Sequence, residues 1–436
     1  MRDFLPEQIR KREYVVGVVK SVYEKYGFEP LETPAVENLS TLTNKYGDEG
    51  DQLMYKILKR GEKLGKKLEG DAIVDENELS DLALRYDLTV PLARVIANYR
   101  NDLPRFFKRY QIQPVWRADR PARGRYREFY QCDVDAIGSG SMLVEAELCS
   151  AVSEILDHLG FGDYLIRVNH RALLFAVLEA AGISADSSGQ AVVVLDKLDK
   201  IGSEKVQKEL GEMGVEESAS ASLLGLFSDI KGQDNPSVLS ALKEFTKGVE
   251  EATLSLVDLE ELLDLSKGLK LELDPSLARG LSYYTGAIFE VVLTDGDFSG
   301  SIAGGGRYDG LIGMFGKEQI PAVGLSLGLE RILLIMDERG MFPEDLASNP
   351  ADVMVTVWND LSAAESLRLA TELRAKGLRV LVYPQPDKLG KQFKYADQIG
   401  TPFVCVLGES EIEAGTVALK NLESGDQETV PRAELA

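Results

Sequence analysis

Cysteine, histidine and long apolar runs are all scarce in this sequence. The three cysteines, Cys132, Cys149 and Cys405, lie far apart and form no CxxC pair. This excludes a disulfide framework and a cysteine-rich zinc site, and it favours a reducing compartment. Since the only histidines are His158 and His170, a histidine-based metal site would need carboxylates for most of its ligands. The longest apolar runs have about five residues, whereas a membrane-spanning helix needs about 20.

The first residues also lack the pattern of a targeting segment. The segment MRDFLPEQIRKREY carries acids and bases before any apolar stretch, unlike a secretory signal. We therefore expect a cytoplasmic protein with no membrane partner.

The composition that remains is that of a folded protein. The chain has 436 residues, of which 44% are hydrophobic and 28% are charged, and this length predicts more than one domain. With 49 basic and 71 acidic side chains, the net charge is −22. Taken as a whole, this charge argues against a nucleic-acid partner.

The charge is unevenly distributed along the chain. Residues 101–130 contain eight basic and three acidic side chains, a local excess of +5. A basic segment in an acidic chain suggests a site for a polyanion such as ATP or an RNA end. A solvated pair of surface strands would have the same composition, so charge alone does not decide.

Hydrophobic spacing predicts the elements of the first half of the chain. A helix is expected over Glu7–Tyr26, followed by an extended segment in which Pro30 and Pro34 disfavour helix. The basic segment is predicted to form antiparallel strands at Phe106–Tyr110, Val115–Arg117 and Glu128–Ala136.

The second half changes character twice. Residues 186–269 are charged and helix-prone, and they predict a helical insertion. The sequence after them again has the residues typical of strands and many glycines. A helix is then expected from Ser326 to Glu338. Beyond Asn349-Pro350, short apolar strands alternate with helices, a pattern typical of a small parallel α/β domain over residues 350–436.

Four segments combine charge, glycine and aromatic side chains in ways that suggest chemistry. They are LRYDLT at 84–89, WRADRPARGRYREFYQCDVD at 116–135, LARGLSYYTGAIFE at 277–290, and the stretch 303–331, which contains AGGGRYDG and GLSLGLER. AGGGRYDG lacks the spacing of a P-loop or a dinucleotide-binding loop. By itself it is more typical of a turn or a close packing point, although glycines also allow a ligand to approach the backbone.

Four arginines lie in apolar or aromatic surroundings. They are Arg117, Arg125, Arg279 and Arg331. Guanidinium is permanently charged, planar and able to fork onto phosphate, so it suits a triphosphate site. Any one of them could instead pair with a structural acid, but the four together favour an anion site.

Acidic and tyrosine side chains form a further set. Strand alternation puts Gln131, Asp133 and Asp135 on one face. Together with Asp87 and the pair Tyr283-Tyr284, they suggest a polar pocket, and the alternative is a solvent-facing edge.

In order along the chain, these segments resemble a known family. The first helix with GFEPLETPAVE, then WRADRP…GRYREFYQ and GLSLGLER, resemble motifs 1, 2 and 3 of the class II aminoacyl-tRNA synthetases. LARGLSYYTG and AGGGRYDG resemble the two histidine-specific signatures of the histidyl-tRNA synthetases. The resemblance spans nearly the whole chain.

The resemblance implies an α/β protein of three parts. Residues 1–185 and 270–345 would form an α+β catalytic domain built on an antiparallel sheet, and residues 186–269 a helical insertion. Residues 350–436 would form a parallel α/β anticodon-binding domain. Motif 1 implies a homodimer, although the stripe Val15, Val19 and Val22 would suit a plain core equally well.

The resemblance also implies roles for individual residues. Arg117 and Arg279 are expected to be catalytic, with Arg279 standing where related enzymes hold a metal ion. The implied histidine contacts are Asp87, Thr89, Gln131, Asp135, Arg279, Tyr283 and Tyr284. The implied ATP contacts are Arg117, Asp119, Arg125, Phe129 and Arg331. Contacts to tRNA are expected from Arg123, Lys388, Lys391 and Lys394.

The implied reaction is the ATP-dependent ligation of L-histidine to tRNA(His) through a histidyl-adenylate, with Mg²⁺ bridging the outer phosphates of ATP. No protein side chain is assigned to a metal. The sequence departs from the family at Ser282, where many members have Asp or Asn, and at Ala122-Arg123, where many bacterial members have Gln.

Other interpretations remain open at this point. The nearest is a non-catalytic, synthetase-like regulatory subunit of histidine biosynthesis, although such paralogues tend to lose the arginines and the anticodon domain. A synthetase for another amino acid and a chance resemblance are the remaining two.

Overall fold

The structure is a computed structural model that describes residues 1–68, 76–278, 283–296, 298, 300–344, 346 and 349–435. The chain divides into two compact units, one of residues 1–4 and 11–342 and one of residues 5–10 and 343–436. We describe each unit by itself.

Strands occur in both units. In chain order they are β1 (Glu29–Pro30), β2 (Val36–Asn38), β3 (Lys56–Leu58), β4 (Ser80–Leu84), β5 (Phe107–Trp116), β6 (Glu128–Ile137), β7 (Tyr164–His170), β8 (Leu271–Leu273), β9 (Ala287–Leu293), β10 (Ser301–Arg307), β11 (Ala322–Gly328), β12 (Val353–Val355), β13 (Val380–Val382), β14 (Phe403–Val406), β15 (Thr416–Asn421) and β16 (Gln427–Pro431).

Helices connect and cover these strands. They are α1 (Pro6–Lys25), α2 (Leu39–Leu42), α3 (Gly47–Gln52), α4 (Glu62–Leu68), α5 (Glu76–Leu79), α6 (Thr89–Asn98), α7 (Met142–His158), α8 (Arg171–Ala180), α9 (Ala185–Leu195), α10 (Leu198–Ile201), α11 (Ser203–Glu212), α12 (Glu217–Ile230), α13 (Asn235–Phe245), α14 (Glu250–Leu265), α15 (Leu329–Glu338), α16 (Ala363–Ala375), α17 (Leu389–Gln398) and α18 (Glu409–Ala414). Short 3₁₀ turns cover Ile312–Met314 and Arg432–Glu434.

The first unit is built on an eight-stranded sheet with the order β1-β5-β6-β11-β10-β9-β7-β8. The outer pairs β1–β5 and β7–β8 are parallel, and the pairs between them are antiparallel. A second, three-stranded antiparallel sheet has the order β2-β4-β3. The sheet rich in antiparallel pairs that the resemblance implied is therefore confirmed.

The first helix packs on the core of its own chain. The stripe Val15, Val19 and Val22 is almost fully buried, beside Tyr23 and Phe28. These valines therefore serve the plain core, and the predicted dimer interface keeps only the support of the resemblance.

The predicted break in the basic segment is wrong, because β5 runs without interruption from Phe107 to Trp116. Pro114 lies inside it, opposite Tyr130 of β6. Proline is accepted there because β1 pairs with β5 only as far as Tyr110. Beyond that point β5 is an edge strand, and its proline leaves no ladder hydrogen bond unmade.

The helix predicted from Ser326 begins later, at Leu329, since Ser326 lies in β11 opposite Asp133. The alternation of GLSLGL places Leu325 and Leu327 in the core on one face of the strand, and Gly328 is the N-cap that separates it from α15. Between Ala185 and Leu265 the chain forms α9 to α14, and α14 packs against α7 and α8.

The second unit has a five-stranded sheet with the order β13-β12-β14-β15-β16. The first three strands are parallel, as the strand–helix alternation predicted. Gly377 and Gly400, at φ of +90° and +69°, follow the ends of α16 and α17 in the left-handed conformation that favours glycine. The antiparallel strands β15 and β16 complete the sheet, and the alternation did not predict them.

Within the described ranges, no single helix is long and apolar enough to cross a membrane. The bent pair α8 and α9 reaches the required length and apolar composition only when its two helices are taken together.

Candidate active site

One cavity of about 200 Å³ in the first unit gathers residues from all four sequence segments. The sequence-predicted residues that line it are Asp87, Thr89, Arg117, Asp119, Arg125, Phe129, Gln131, Asp135, Tyr283, Tyr284 and Arg331. Arg279, the remaining member of the predicted set, lies outside the described residues, as does Ser282.

Strand β6 forms one wall of this cavity. Phe129, Gln131, Asp133 and Asp135 alternate along it and all line the cavity, as a period of two requires. Because β6 lies between β5 and β11, and Asp133 and Asp135 are each only 2% exposed, this face is a buried polar surface and not a solvent-facing edge.

Asp135 is held on both sides. Nη2 of Arg109 on β5 lies 2.8 Å from its Oδ2, and the Tyr308 hydroxyl donates to its Oδ1. Burial raises the pKa of Asp135, and the Arg109 charge opposes that effect. Arg109 is fully buried, so this ion pair fixes both side chains at the base of the cavity.

Asp87 follows β4 and precedes α6. The hydroxyls of Tyr46 and Tyr283 donate to its two carboxylate oxygens at 2.9 and 3.2 Å. The backbone N–H of Val90 donates to Oδ1 at 3.1 Å, in the first turn of the helix that begins at Thr89. Burial is the main cause of its raised pKa, which these hydrogen bonds oppose. The carboxylate is thus oriented before any ligand arrives.

The arginines lie toward the start of β6. Arg117 donates from Nε to the carbonyl of Tyr86 at 3.1 Å, and its guanidinium lies 4.3 Å from the centroid of the Tyr86 ring and 5.2 Å from that of Phe129. Arg125 is 3.7 Å from Asp119 across the hairpin loop. Arg331, on the first turn of α15, donates to the carbonyl of Ser301. Each guanidinium is therefore held by a neighbour while it lines the cavity.

The residues predicted to contact tRNA lie elsewhere. Arg123, at the tip of the β5–β6 connection, forms an exposed ion pair with Glu338. The three lysines belong to the second unit, at the N-terminal end of α17, where Lys391 lies 2.9 Å from Asp387.

Two glycines explain why this part of the chain is glycine-rich. A Cβ at Gly305 would overlap the carbonyl oxygen of Gly324, and a Cβ at Gly324 would overlap the Asp135 carboxylate. β10 and β11 therefore approach each other, and Asp135, more closely than any side chain would allow.

We expect Gly324→Ala to weaken the binding of histidine, the ligand that the sequence resemblance implies, at least about tenfold. Because Arg109 and Tyr308 hold Asp135, the new methyl group cannot be accommodated by a small rotation of that carboxylate. Calorimetric titration with histidine, beside a melting curve, measures the effect. Gly225→Ala, where a Cβ would meet nothing within 4 Å, is the matched control. Unchanged histidine affinity in Gly324→Ala would contradict the proposed position of Asp135 in the site.

The sequence did not single out several side chains that complete the cavity or hold its residues. They are Tyr46, Arg109, Tyr308, Ser326 and Glu330. Tyr308, Ser326 and Glu330 lie inside quoted motifs and could have been found there. Glu330 accepts the Tyr130 backbone N–H with both oxygens, at 3.0 Å each, and burial raises its pKa to about 7.

The comparisons with known proteins agree with this geometry. Residues 61–332 match the family model described as histidyl-tRNA synthetase, and residues 352–436 match that of an anticodon binding domain. The chain is 43% identical to the histidine–tRNA ligase of Cytophaga hutchinsonii, over 98% of this chain and 95% of the relative. It is 42% identical to that of Bacteroides fragilis, over 100% and 96%.

Solved structures show the same likeness. The histidyl-tRNA synthetase of a Nostoc species is 33% identical, with a TM-score of 0.79 over 99% of this chain and 95% of that one. A structure named as an ATP phosphoribosyltransferase regulatory subunit/histidyl-tRNA synthetase from Bacillus halodurans reaches a TM-score of 0.73 over 94% of this chain and 97% of that one. At 19% identity, that second likeness concerns the fold alone.

The eight-stranded sheet, the cavity along β6 and the matches to known proteins together define a class II aminoacyl-tRNA synthetase. Within that class, the chain belongs to the histidyl-tRNA synthetase family.

Proposed function

We propose that this protein ligates L-histidine to tRNA(His), using ATP to form a histidyl-adenylate and releasing AMP and diphosphate. The observation that carries this proposal is the polarity of one cavity along β6. Carboxylates cluster toward Asp135 and arginines toward Phe129. The α-ammonium group of an amino acid and a triphosphate would be complementary to these two regions.

In the first step, the ionised histidine carboxylate would attack the α-phosphate and needs no general base. The protein then has to align two anions and stabilise the charge that develops at phosphorus. Arg117 would contact both reacting groups, and Arg125 the outer phosphates. Phe129 and Arg331 would enclose the adenine ring by stacking.

The carboxylate region would select the amino acid. Asp87, with Thr89 beside it, would bind the α-ammonium group, and Asp135 would accept a hydrogen bond from the imidazole ring. Gln131, Tyr283 and Tyr284 complete the lining. A site built on hydrogen bonds to a substrate N–H can reject analogues that lack it by about 10⁴–10⁵-fold.

Mg²⁺ would enter with ATP. This ion prefers phosphate oxygens with one or two carboxylates, and Asp119, beside Arg125, is a carboxylate of the cavity that suits this arrangement. When bound, the ion would neutralise charge on the outer phosphates. Within the described ranges, no cluster of three or more His, Cys, Asp and Glu side chains could hold a metal.

In the second step, a hydroxyl of the tRNA 3′-terminal ribose would attack the adenylate. We assign residues 350–436 to anticodon binding, residues 1–185 and 270–345 to catalysis and residues 186–269 to a helical insertion. A cytoplasmic location would follow from this role.

The alternative, a regulatory subunit without catalysis, has less support. The arginines Arg117, Arg125 and Arg331 all line the cavity, which a subunit without an ATP reaction would not need.

Exchange of pyrophosphate into ATP, assayed across the twenty amino acids, tests the proposed function. We expect exchange with histidine alone, and charging of tRNA(His) in a second assay. Histidine binding without exchange would favour the regulatory subunit, and exchange with another amino acid would reassign the substrate.

The lysines of α17 give a prediction for tRNA. Replacing Lys388 and Lys394 by alanine should lower kcat/KM for tRNA, make it less sensitive to salt and leave pyrophosphate exchange unchanged, because phosphate contacts release counterions. Arg368→Ala, an exposed cation on α16, is the matched control. An equal effect of the control would show that net charge, and not this helix, governs tRNA binding.

Motif 1 gives a prediction for assembly. We expect a two-fold symmetric homodimer, which light scattering at micromolar concentration would detect. A fully active protein with the mass of one chain would overturn it.

A further inference from the structure

Strand β6 presents hydrogen-bond acceptors that no described residue satisfies. Oε1 of Gln131 and Oδ1 of Asp133 are buried and accept no hydrogen bond from the described part of the chain. Oδ2 of Asp135 meets Arg109 as an ion pair without hydrogen-bond geometry. Buried polar atoms are normally satisfied, so the two unpartnered acceptors, on Gln131 and Asp133, point to a ligand that donates N–H groups to this face of the cavity.

Asp133 is oriented toward such a ligand by its neighbours. Nε2 of Gln131 donates to the Ser326 hydroxyl at 3.1 Å, and that hydroxyl is hydrogen-bonded to Asp133. This chain leaves the carbonyl oxygen of Gln131 and Oδ1 of Asp133 as acceptors. Asp133 is only 2% exposed and lines the cavity; the sequence placed it in a polar pocket but implied no ligand contact for it.

The tyrosines around the cavity also leave acceptors. The hydroxyls of Tyr46 and Tyr283 donate to Asp87, and that of Tyr308 donates to Asp135. Burial raises the pKa of each of these phenols well above its usual value, so all three remain neutral donors. Their protons are committed to carboxylates, and a ligand meets lone pairs.

The buried carboxylates of this region also favour a ligand that carries positive charge. Among the described residues, the buried Arg109 guanidinium contacts Asp135, the Arg117 charge acts on Asp87, and the charge of the buried Arg85 acts on Asp133. In that part of the chain, Asp87 and Asp133 thus have no cation in direct contact. The α-ammonium group of histidine would balance one of them, and a protonated imidazole ring would balance the other.

We propose that Asp133 is a second specificity-determining carboxylate, which accepts a hydrogen bond from the ring of bound histidine beside Asp135, so that the ring binds as imidazolium. The inference rests on the proposed function and deepens it. Asp133 and Asp135 are two residues apart on a strand, or about 7 Å, a spacing that brings one ring within hydrogen-bond reach of both carboxylates.

The groups that face Asp133 come from every element around it. They are Arg109 on β5, Asp135 on β6, Ser326 on β11 and Asp87 after β4. The Asp133 charge also acts on the Arg85 guanidinium and on the phenols of Tyr23 and Tyr308. Burial raises the pKa of Asp133, the Asp135 and Asp87 charges raise it further, and Arg109 and Ser326 oppose the shift. An imidazolium in contact would favour the ionised carboxylate, because an opposite charge at close range stabilises the charged form.

Histidine labelled with ¹⁵N in the ring, bound to the full-length enzyme at pH 8.5, tests this directly. Free imidazole has a pKa of about 6.5 and is neutral at that pH. We expect both ring nitrogens of the bound amino acid to show the chemical shifts of protonated nitrogens. Asp133→Asn should restore one unprotonated nitrogen and weaken histidine binding about 10- to 100-fold.

An analogue and a control complete the experiment. A thiazole analogue, whose ring does not protonate near neutral pH, should bind the Asp133→Asn variant no more weakly than it binds the parent enzyme. Glu145→Gln is the matched control, because Glu145 is a buried carboxyl with a pKa of about 7 that pairs with Arg307 and does not line the cavity. It should leave the state of the bound ring unchanged.

The possible outcomes distinguish a wrong role for Asp133 from a wrong proposed function. A bound neutral ring in the parent enzyme, held for example by the Tyr284 hydroxyl, would overturn the role of Asp133 while histidine activation stood. If the labelled histidine gave no bound signal and no pyrophosphate exchange, the proposed function itself would be wrong. Asp133→Asn with a lower melting temperature but an unchanged ring state would make Asp133 a structural partner of Arg109.

Discussion

Replacing Arg117 by alanine is expected to slow histidyl-adenylate formation about 10²- to 10³-fold, since loss of one preorganised donor to a developing charge costs about 2.7–4 kcal/mol. The side chain is preorganised because its Nε donates to the Tyr86 carbonyl and its guanidinium contacts the rings of Tyr86 and Phe129. Single-turnover adenylate formation measures the effect. The apparent constants for ATP and histidine should change much less than the rate.

Two further variants sharpen this test. Arg117→Lys should recover only part of the rate, because an ammonium group keeps the charge but loses the planar fork. Arg120→Ala removes an exposed arginine from the same loop that does not line the cavity, and it should retain the parent rate. A folded Arg117→Ala enzyme within tenfold of the parent would remove Arg117 from the reaction.

The second large effect is expected at Asp135. The substitution Asp135→Ala would leave Arg109 buried without its ion-pair partner. Breaking such a buried pair costs about 3–5 kcal/mol of stability. The lower end of this range is expected, because Asp133 also faces Arg109. Denaturant unfolding measures the loss of stability, and histidine-dependent exchange should disappear at the same time.

A double variant separates stability from recognition. Arg109→Met combined with Asp135→Leu replaces the buried pair by apolar side chains, which is often neutral or stabilising. We expect the free energy of unfolding to recover in part, because Asp133 loses the Arg109 charge as well, while histidine activation stays absent. Recovery of both properties would mean that Asp135 supports the fold and does not select the substrate.

Much of the fold could be read from the sequence where local rules decide. The helix predicted over Glu7–Tyr26 is observed over Pro6–Lys25, and Gly377 and Gly400 follow the ends of their helices. Periodicity and the conformational freedom of glycine act within a few residues. Where the local pattern was ambiguous, at Pro114 and Ser326, the pairing of neighbouring strands decided the outcome.

The amino-acid sequence specifies which chemical groups are available: arginines for an anion, acids for a cation, and motifs in the order of the family. Which of these groups meet, and in what state, depends on the tertiary structure. Arg109 counted in the sequence as one base in a basic segment, yet β5 places it beside Asp135 in a fully buried ion pair. Asp133 is buried because β6 is an interior strand of the sheet, paired with β5 on one side and with β11 on the other. Burial and long-range pairing set the charge of a side chain, and neither is written in its neighbours along the chain.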